Sequence, residues 1–301
     1  MLQNFFRRKR NVTGSSKTSP KESVVENDLE RAAEEKDRDS EFESPSTFRI
    51  NSFREKFPNT TTAVFANSKG GVGKSTVAFM ACLNLAIQEP NRFVEFIDLD
   101  KQATTSDSLK RFTNTTFKLV SDPEFLLASG GPNNARIYQY LNSSAERLET
   151  QNKRFVFFDT PAGTSPSEYS FMLDVNFLFV PTSSSDADLA STKNFLSKFF
   201  NRNPNAPEQH SSYLPRIIIV PNMLDNRDEI MDIYNYLREF PCFLGHPVFY
   251  SKIFRSTFGN GISDHNVVNL LRETSDFGEW VVNIFKNESM GETVPTSLFQ
   301  I

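Results

Sequence analysis

With 301 residues and a net charge of −4, the chain has room for a substantial core but is no general polyanion binder, so any contact with DNA must come from a local patch. Its two cysteines, Cys82 and Cys242, form no CxxC pair and no signal peptide is evident, which points to a reducing cytoplasm. His210, His246 and His265 lack metal-ligand spacing, and no apolar run approaches the roughly 18 residues that span a bilayer.

Residues 1–59 read as a disordered tail, basic at MLQNFFRRKRN and acidic from Glu22 to Glu43. It holds too few apolar side chains to offset the entropy of ordering, and it is too polar to fold as a helix-turn-helix. Only the first eleven residues carry a pattern. On a helix Met1, Leu2, Phe5 and Phe6 share a face ahead of Arg7, Arg8, Lys9 and Arg10, which suits a short amphipathic foot on an anionic membrane. The same basic residues suit DNA phosphates, and a plain solvated terminus explains them too.

The domain proper is expected over residues 60–288, with a short C-terminal tail over 289–301. It opens with TAVFANSKGGVGKSTVAFMACLNLA, residues 62–86. A short apolar run (Ala63 to Ala66) leads into a glycine-rich turn and then a helix carrying Phe79, Leu83 and Ile87 at helical spacing. Cys82 falls on that helix as core filler. Gly70, Gly71 and Gly73 let the backbone close on an anion, so that successive N–H groups, Val72 included, point at phosphate oxygens. The helix N-terminus behind the turn adds partial positive charge. Lys74 reaches toward the β- and γ-phosphates, the Ser75 hydroxyl takes a place on Mg²⁺, and Thr76 lies toward the α-phosphate. The turn is a P-loop, with Ser68 standing where the general pattern has its first glycine.

A second strand is expected at Phe93 to Ile97, with Asp98 and Asp100 at its carboxyl end, where α/β sheets bind ligands. Between residues 107 and 150, FKLVSDPEFLLASGG and ARIYQYLNSSAERL both read as helices, broken at Gly130-Gly131-Pro132. The apolar run Phe155 to Phe158 is a strand covered on both faces and ends at Asp159, a carboxylate placed to hold Mg²⁺. Gly163 frees the following loop to sense a γ-phosphate. VNFLFVP (residues 175–181) and RIIIVP (216–221) are further buried strands. Asp186 or Asp188 caps a helix bearing Leu189, Leu196, Phe199 and Phe200, and a later helix aligns Ile230, Ile233, Tyr234 and Leu237. Val248 to Tyr250 is the last strand expected. The final helix carries Phe277, Trp280, Val281, Ile284 and Phe285 at a spacing that packs it on the sheet. Strands alternating with helices mean an α/β fold, a mostly parallel, twisted sheet with helices on both faces. The 30 phenylalanines are best explained as core.

KGGVGKST, between a strand and a helix, resembles the deviant Walker A motif of the ParA/MinD family of P-loop ATPases, with ParA-like partition ATPases nearest. FIDLDKQ is similar to the family's DxDxQ segment, with Lys101 where proline is common, and DTPAG is close to its DTPP-like turn. PNMLDNR resembles its base-recognition loop, and KIFRSTFGNG its basic stretch before a glycine turn. The resemblance implies ATP and Mg²⁺ as cofactors, Asp98 near the metal shell beside Asp159, Asp100 orienting the attacking water, and Asn222 on the adenine. It implies Lys252 and Arg255 near non-specific DNA.

The resemblance also implies that Lys69 crosses to a partner's phosphates in an ATP-bound homodimer, where it acts on the transition state alongside Lys74. The charges are consistent: two apposed P-loops repel through their lysines, while two Mg-ATP molecules supply the anions that hold them together. The function implied is an ATPase that partitions plasmid or chromosomal DNA over the nucleoid, in the cytoplasm, with hydrolysis stimulated by a cargo adaptor. The alternative is a MinD-like ATPase on an anionic inner membrane, using residues 1–11. Metal delivery or electron transfer needs paired interfacial cysteines, which Cys82 and Cys242 fit poorly. A nucleotide-binding scaffold without turnover sits badly with retained Asp100 and Asp159.

Overall fold

The computed structural model describes residues 57, 59–100, 104–110, 117–120, 127–128, 131–132, 134–147, 154–201, 214–254, 264–290 and 299–300. The tail expected over residues 1–59 lies outside this set except for Phe57 and Asn59. Phe57 is buried, and its carbonyl accepts the Thr60 N–H at 2.8 Å.

In chain order the elements are β1 (Thr60–Phe65), α1 (Lys74–Gln88), β2 (Phe93–Asp98), α2 (Thr104–Leu109), β3 (Phe117–Val120), β4 (Leu127–Ala128), β5 (Gly131–Pro132) and α3 (Asn134–Arg147). There follow β6 (Arg154–Asp159), β7 (Phe177–Thr182), α4 (Asp186–Phe200), β8 (Arg216–Leu224) and α5 (Asp228–Leu237). The last are β9 (Phe243–Leu244), β10 (Val248–Phe249), α6 (Asp264–Glu273), α7 (Ser275–Met290) and β11 (Phe299–Gln300).

The main sheet runs β11-β9-β8-β7-β1-β6-β2-β3, with β10 beside the end of β8. Its pairs are parallel except β11 on β9, where Phe299 faces Leu244. An antiparallel edge strand thus follows the last strand foreseen in the sequence, inside the segment expected to be a C-terminal tail. The order puts β1 between β6 and β7, so the turns leaving those two strands flank the turn that leaves β1. That placement builds the site.

One expected helix is a strand. In FKLVSDPEFLLASGG, residues Phe117–Val120 pair in parallel with Val94 to Ile97 of β2. A four-residue apolar stretch has too little length to declare its period, and an open edge beside β2 settled the matter. ARIYQYLNSSAERL does form a helix, α3. The first turn of α4 is capped by the Ser185 hydroxyl, which accepts the Asp188 N–H at 3.3 Å, rather than by either aspartate.

Alternation along the strands divides the core. Ala63, Phe65, Phe155, Phe157, Phe177, Phe179, Ile218 and Val220 form one cluster with α1 and α7. The helices α4 and α5 pack on β7 and β8 and contribute nothing to that cluster, so they cover the other face. Every residue from Val77 to Ala86 of α1 is buried, as a sequence without a polar stripe requires. Among the described residues the largest fully buried side chains are all phenylalanines. Phe65 stacks on Phe179 at 4.9 Å and on Phe157 at 5.9 Å, and Phe285 of α7 lies 5.0 Å from Phe157 and 5.4 Å from Phe177. The apolar helix at the carboxyl end of the chain is therefore core, and no described helix is long and apolar enough to cross a membrane.

The opposite end of the sheet from the P-loop is closed by buried polar groups. Arg216 pairs with Glu288 of α7 at 2.9 Å, and Asn176 ties Glu288 to the backbone N–H of Thr62. Together with the Phe285 stack this fixes α7 along its length. Phe285→Ala is expected to cost about 3–5 kcal/mol in urea unfolding, as for other large buried aromatics. A loss under about 1 kcal/mol would mean the stack closes over the cavity and does not hold the helix.

Candidate active site

The chain leaves β1 through Ala66 and enters a turn that only glycine can complete. Gly71 and Gly73 have φ of 82° and 92°. A Cβ on Gly73 would also overlap the carboxamide of Asn222. Gly73 is the N-cap of α1, with no side chain capping it and no acid in the first turn, so the helix end stays open to an anion.

Lys74 is only 6% exposed, and its ammonium donates to the Lys69 carbonyl at 3.0 Å. Burial lowers its pKa, and the nearby Asp159 and Asp100 carboxylates work the other way. A charge held so far from water needs compensation, and two carboxylates and a carbonyl supply part of it.

Asp159, at the end of β6, is fully buried. Its Oδ2 accepts the Thr105 hydroxyl at 2.8 Å, and its Oδ1 has no hydrogen-bond partner among the described residues. That unsatisfied oxygen, with Ser75 close by, fits a hard, oxygen-seeking cation such as Mg²⁺. No group of three or more His, Cys, Asp or Glu side chains among the described residues could hold a metal unaided. A metal here would draw its other ligands from phosphate and water, the usual arrangement for Mg²⁺.

Asp98 lies close enough to the Asp159 carboxylate to help raise its pKa. One oxygen accepts the Asp100 N–H at 3.0 Å; the other accepts the Ser106 N–H and hydroxyl, each at 3.0 Å. In this conformation Asp98 thus fixes the segment that presents Asp100 and the start of α2. Asp100 itself is half-buried and close enough to Lys74 to raise its pKa. Gln102 and Lys101 lie outside the described residues.

Lys69 is 40% exposed, and its ammonium sits 3.4 Å from Asp188 of α4. The loop after β6 leans on the same turn, with the Gly163 N–H donating to the Ser68 carbonyl at 2.9 Å. Asn222 lies beneath the turn at 1% exposure, its amide donating to the Val72 carbonyl at 2.8 Å. It thus props the P-loop, and only its unpartnered buried Oδ1 is left for the base contact implied by resemblance. Lys252 is exposed just past β10, and Arg255 lies outside the described residues.

The fold therefore gathers Lys69, Lys74, Ser75, Asp98, Asp100 and Asp159 at the carboxyl ends of β1, β2 and β6. Sequence reasoning missed Asn67, Thr105 and Ser106, and read Asp188 only as a helix cap. Thr105 and Ser106 had a faint signal, two hydroxyls opening a helix shortly after an acidic strand end. Nothing pointed from Asn67 to α4 or from Asp188 to Lys69, because those partners are distant in sequence.

The Asp159 carboxyl is pushed up to about 7, first by burial and then by Asp98, while Ser75, Thr105 and Lys74 oppose the shift. An unfolded aspartate titrates near 3.9, so between about pH 4 and 7 the folded chain keeps a proton that the unfolded chain has lost. Its contribution to stability is full below that window, declines through it and levels off above about pH 7. Asp159→Asn should remove this decline in the nucleotide-free protein, making the variant the more stable by up to about 4 kcal/mol at pH 7. Urea unfolding at several pH values measures it; parallel profiles for the two proteins would show that Asp159 titrates normally.

The CobQ/CobB/MinD/ParA nucleotide binding domain matches residues 63–260, more than half of the chain. No functionally curated protein matches by sequence. Among solved structures, the ATP complex of a Cyanothece McdA variant aligns with a TM-score of 0.52 at 18% identity, covering 80% of this chain and 99% of that one. The ParA family ATPase of Chlorobium tepidum TLS aligns at 0.51 and 15% identity, over 75% and 99% of the two chains. For pNOB8 ParA bound to nonspecific DNA the values are 0.51 and 13%, over 76% and 99%. At such identities the likeness is one of fold, but the sequence match over the P-loop, both acidic strand ends and Asn222 is one of family. This chain belongs to the CobQ/CobB/MinD/ParA family of nucleotide-binding domains.

Proposed function

We propose that this chain is a Mg-dependent ATPase that dimerises on ATP and positions DNA cargo, as ParA-like partition ATPases do, releasing it on hydrolysis stimulated by a partner protein. One observation carries the reading: a single turn holds two lysines in opposite surroundings. Lys74 is buried and folded back on its own loop, whereas Lys69 extends to a partly exposed surface ion pair. The buried one suits the triphosphate of its own subunit. The outer one can exchange a carboxylate for phosphate oxygens on a facing subunit, since its side chain is 40% exposed and its ammonium stands 3.4 Å from Asp188.

The other roles follow from position. Backbone N–H groups of the turn and the open end of α1 receive phosphate oxygens. Ser75 and the unsatisfied Asp159 oxygen hold Mg²⁺, which supplies charge neutralisation at the phosphates when bound. Asp100, presented by the segment that Asp98 fixes, orients the attacking water. Residues 60–288 act as the working domain, with residues 1–59 as its tail. Support for DNA as the surface comes from a neighbour in fold, pNOB8 ParA, whose structure was solved bound to nonspecific DNA. Lys252 and Arg255 are the residues offered for that contact, and the compartment proposed with it is the cytoplasm, on the nucleoid.

Lys74→Ala should weaken ATP affinity at least about tenfold. Lys69→Ala should keep binding yet fail to form an ATP-dependent dimer in sedimentation velocity. Asp100→Ala should lower turnover about 10²-fold or more while leaving the dimer intact. ATP-specific co-sedimentation with DNA supports the partition reading, and co-sedimentation with anionic liposomes lost on deleting residues 1–11 would replace it with a membrane surface. A monomer at saturating non-hydrolysable ATP analogue would reduce the protein to a nucleotide binder.

A further inference from the structure

Asn67 is fully buried between the end of β1 and the P-loop. Its amide nitrogen donates to the Pro181 carbonyl at 3.0 Å and to the Thr192 hydroxyl at 2.8 Å. Its oxygen accepts the Lys69 N–H at 3.1 Å. This orientation is forced. The Pro181 carbonyl can only accept, and the Thr192 hydroxyl gives its hydrogen to Thr182 at 2.9 Å, which passes its own to the Ser183 carbonyl. A flipped carboxamide would face two oxygens with an oxygen and meet the Lys69 N–H with a second donor.

The same helix grips Lys69 twice. Thr192 lies one turn beyond Asp188 on α4, so the pair shares a face. Through Thr192 and Asn67, α4 holds the Lys69 backbone; through Asp188 it holds the Lys69 ammonium at 3.4 Å. Asp188 is itself steadied by the Ser183 hydroxyl at 2.6 Å. The Lys69 carbonyl is taken by Lys74. Of the three polar groups of Lys69, only the ammonium is on a partly exposed partner and free to change hands.

We infer that Asn67 is the positioning residue for Lys69: it fixes the lysine backbone from inside the fold, and so sets where the ammonium reaches when it leaves Asp188 for the phosphates of a facing subunit's nucleotide. The inference rests on the proposed dimer reading for what Lys69 contacts. Asn67 touches no substrate. It acts through Lys69; the Lys69 carbonyl also takes the Lys74 ammonium, but Lys74 keeps Asp159 and Asp100 beside it and the helix end keeps its own backbone.

The test is a double-mutant cycle on the full chain. Asn67→Ala, Lys69→Ala and the double variant are compared for binding of a fluorescent ATP analogue, ATP-dependent dimerisation and turnover. Asn67→Ala is expected to keep analogue affinity within about threefold, to lose dimer and turnover by about tenfold or more, and to add nothing to Lys69→Ala. Thr192→Val should show the same loss in weaker form, and Thr192→Ser should restore it. Additive effects, or analogue affinity falling in step with turnover, would make Asn67 a strut of the whole loop and overturn the inference. If Asn67→Ala does not fold, the Thr192 pair decides alone: Val behaving as Ser refutes it. Lys69→Ala with wild-type dimer and turnover would instead refute the proposed dimer. Lys69→Ala impaired beside a wild-type Asn67→Ala would refute only the role of Asn67.

Discussion

The structure turns on one buried positive charge. Lys74 is drawn under its own P-loop, where a lone ammonium is costly, and it is made tolerable by a carbonyl of the same turn and by Asp159 and Asp100. The Asp159 carboxyl is itself pushed up to about 7, first by burial, so neither it nor the Lys74 ammonium is settled without a further partner. An anion arriving with a divalent cation resolves both strains together, since phosphate meets the lysine and metal meets the orphaned carboxylate oxygen. Under the proposed function, affinity for a metal–triphosphate follows from electrostatics left incomplete by folding.

The sheet order makes this possible. Because β1 lies between β6 and β7, the P-loop is bordered on one side by the loop carrying Gly163 and on the other by the start of α4. Further out, β2 brings Asp98 and Asp100, and β8 brings Asn222 under Gly73. The Gly163 loop, α4 and β8 each take hold of the turn by a separate hydrogen bond. Changes at a bound phosphate can therefore reach α4 or the Gly163 loop by direct contact, which is the arrangement a nucleotide switch needs. Rigidity for this comes from stacked phenylalanines beneath the turn, where Phe65 and its neighbours on β6 and β7 meet α7.

Much of the site was legible in the sequence because its chemistry is local. A glycine-rich turn with two lysines, and acids at the ends of apolar runs, need only neighbouring residues to declare themselves, and the alternation of strands and helices followed from periodicity. The stretch Phe117–Val120 was misread because four residues cannot show a period, and an antiparallel edge at Phe299–Gln300 had no local sign at all. Asp98 illustrates the same boundary within the site. Its type and position were evident, but its two oxygens are used by residues whose approach depends on how α2 folds back.

By itself the sequence determined the α/β class, the anion-binding turn and the identity of its charged groups, since each is written in contiguous residues. Tertiary structure alone decided which charges are buried, that Asn222 supports the loop from below, and that Asn67 and α4 together hold Lys69. Those outcomes depend on contacts between residues more than a hundred positions apart, as from Asn67 to Thr192 and from Val72 to Asn222. No local pattern encodes such pairs; they exist only once the strands have taken their order.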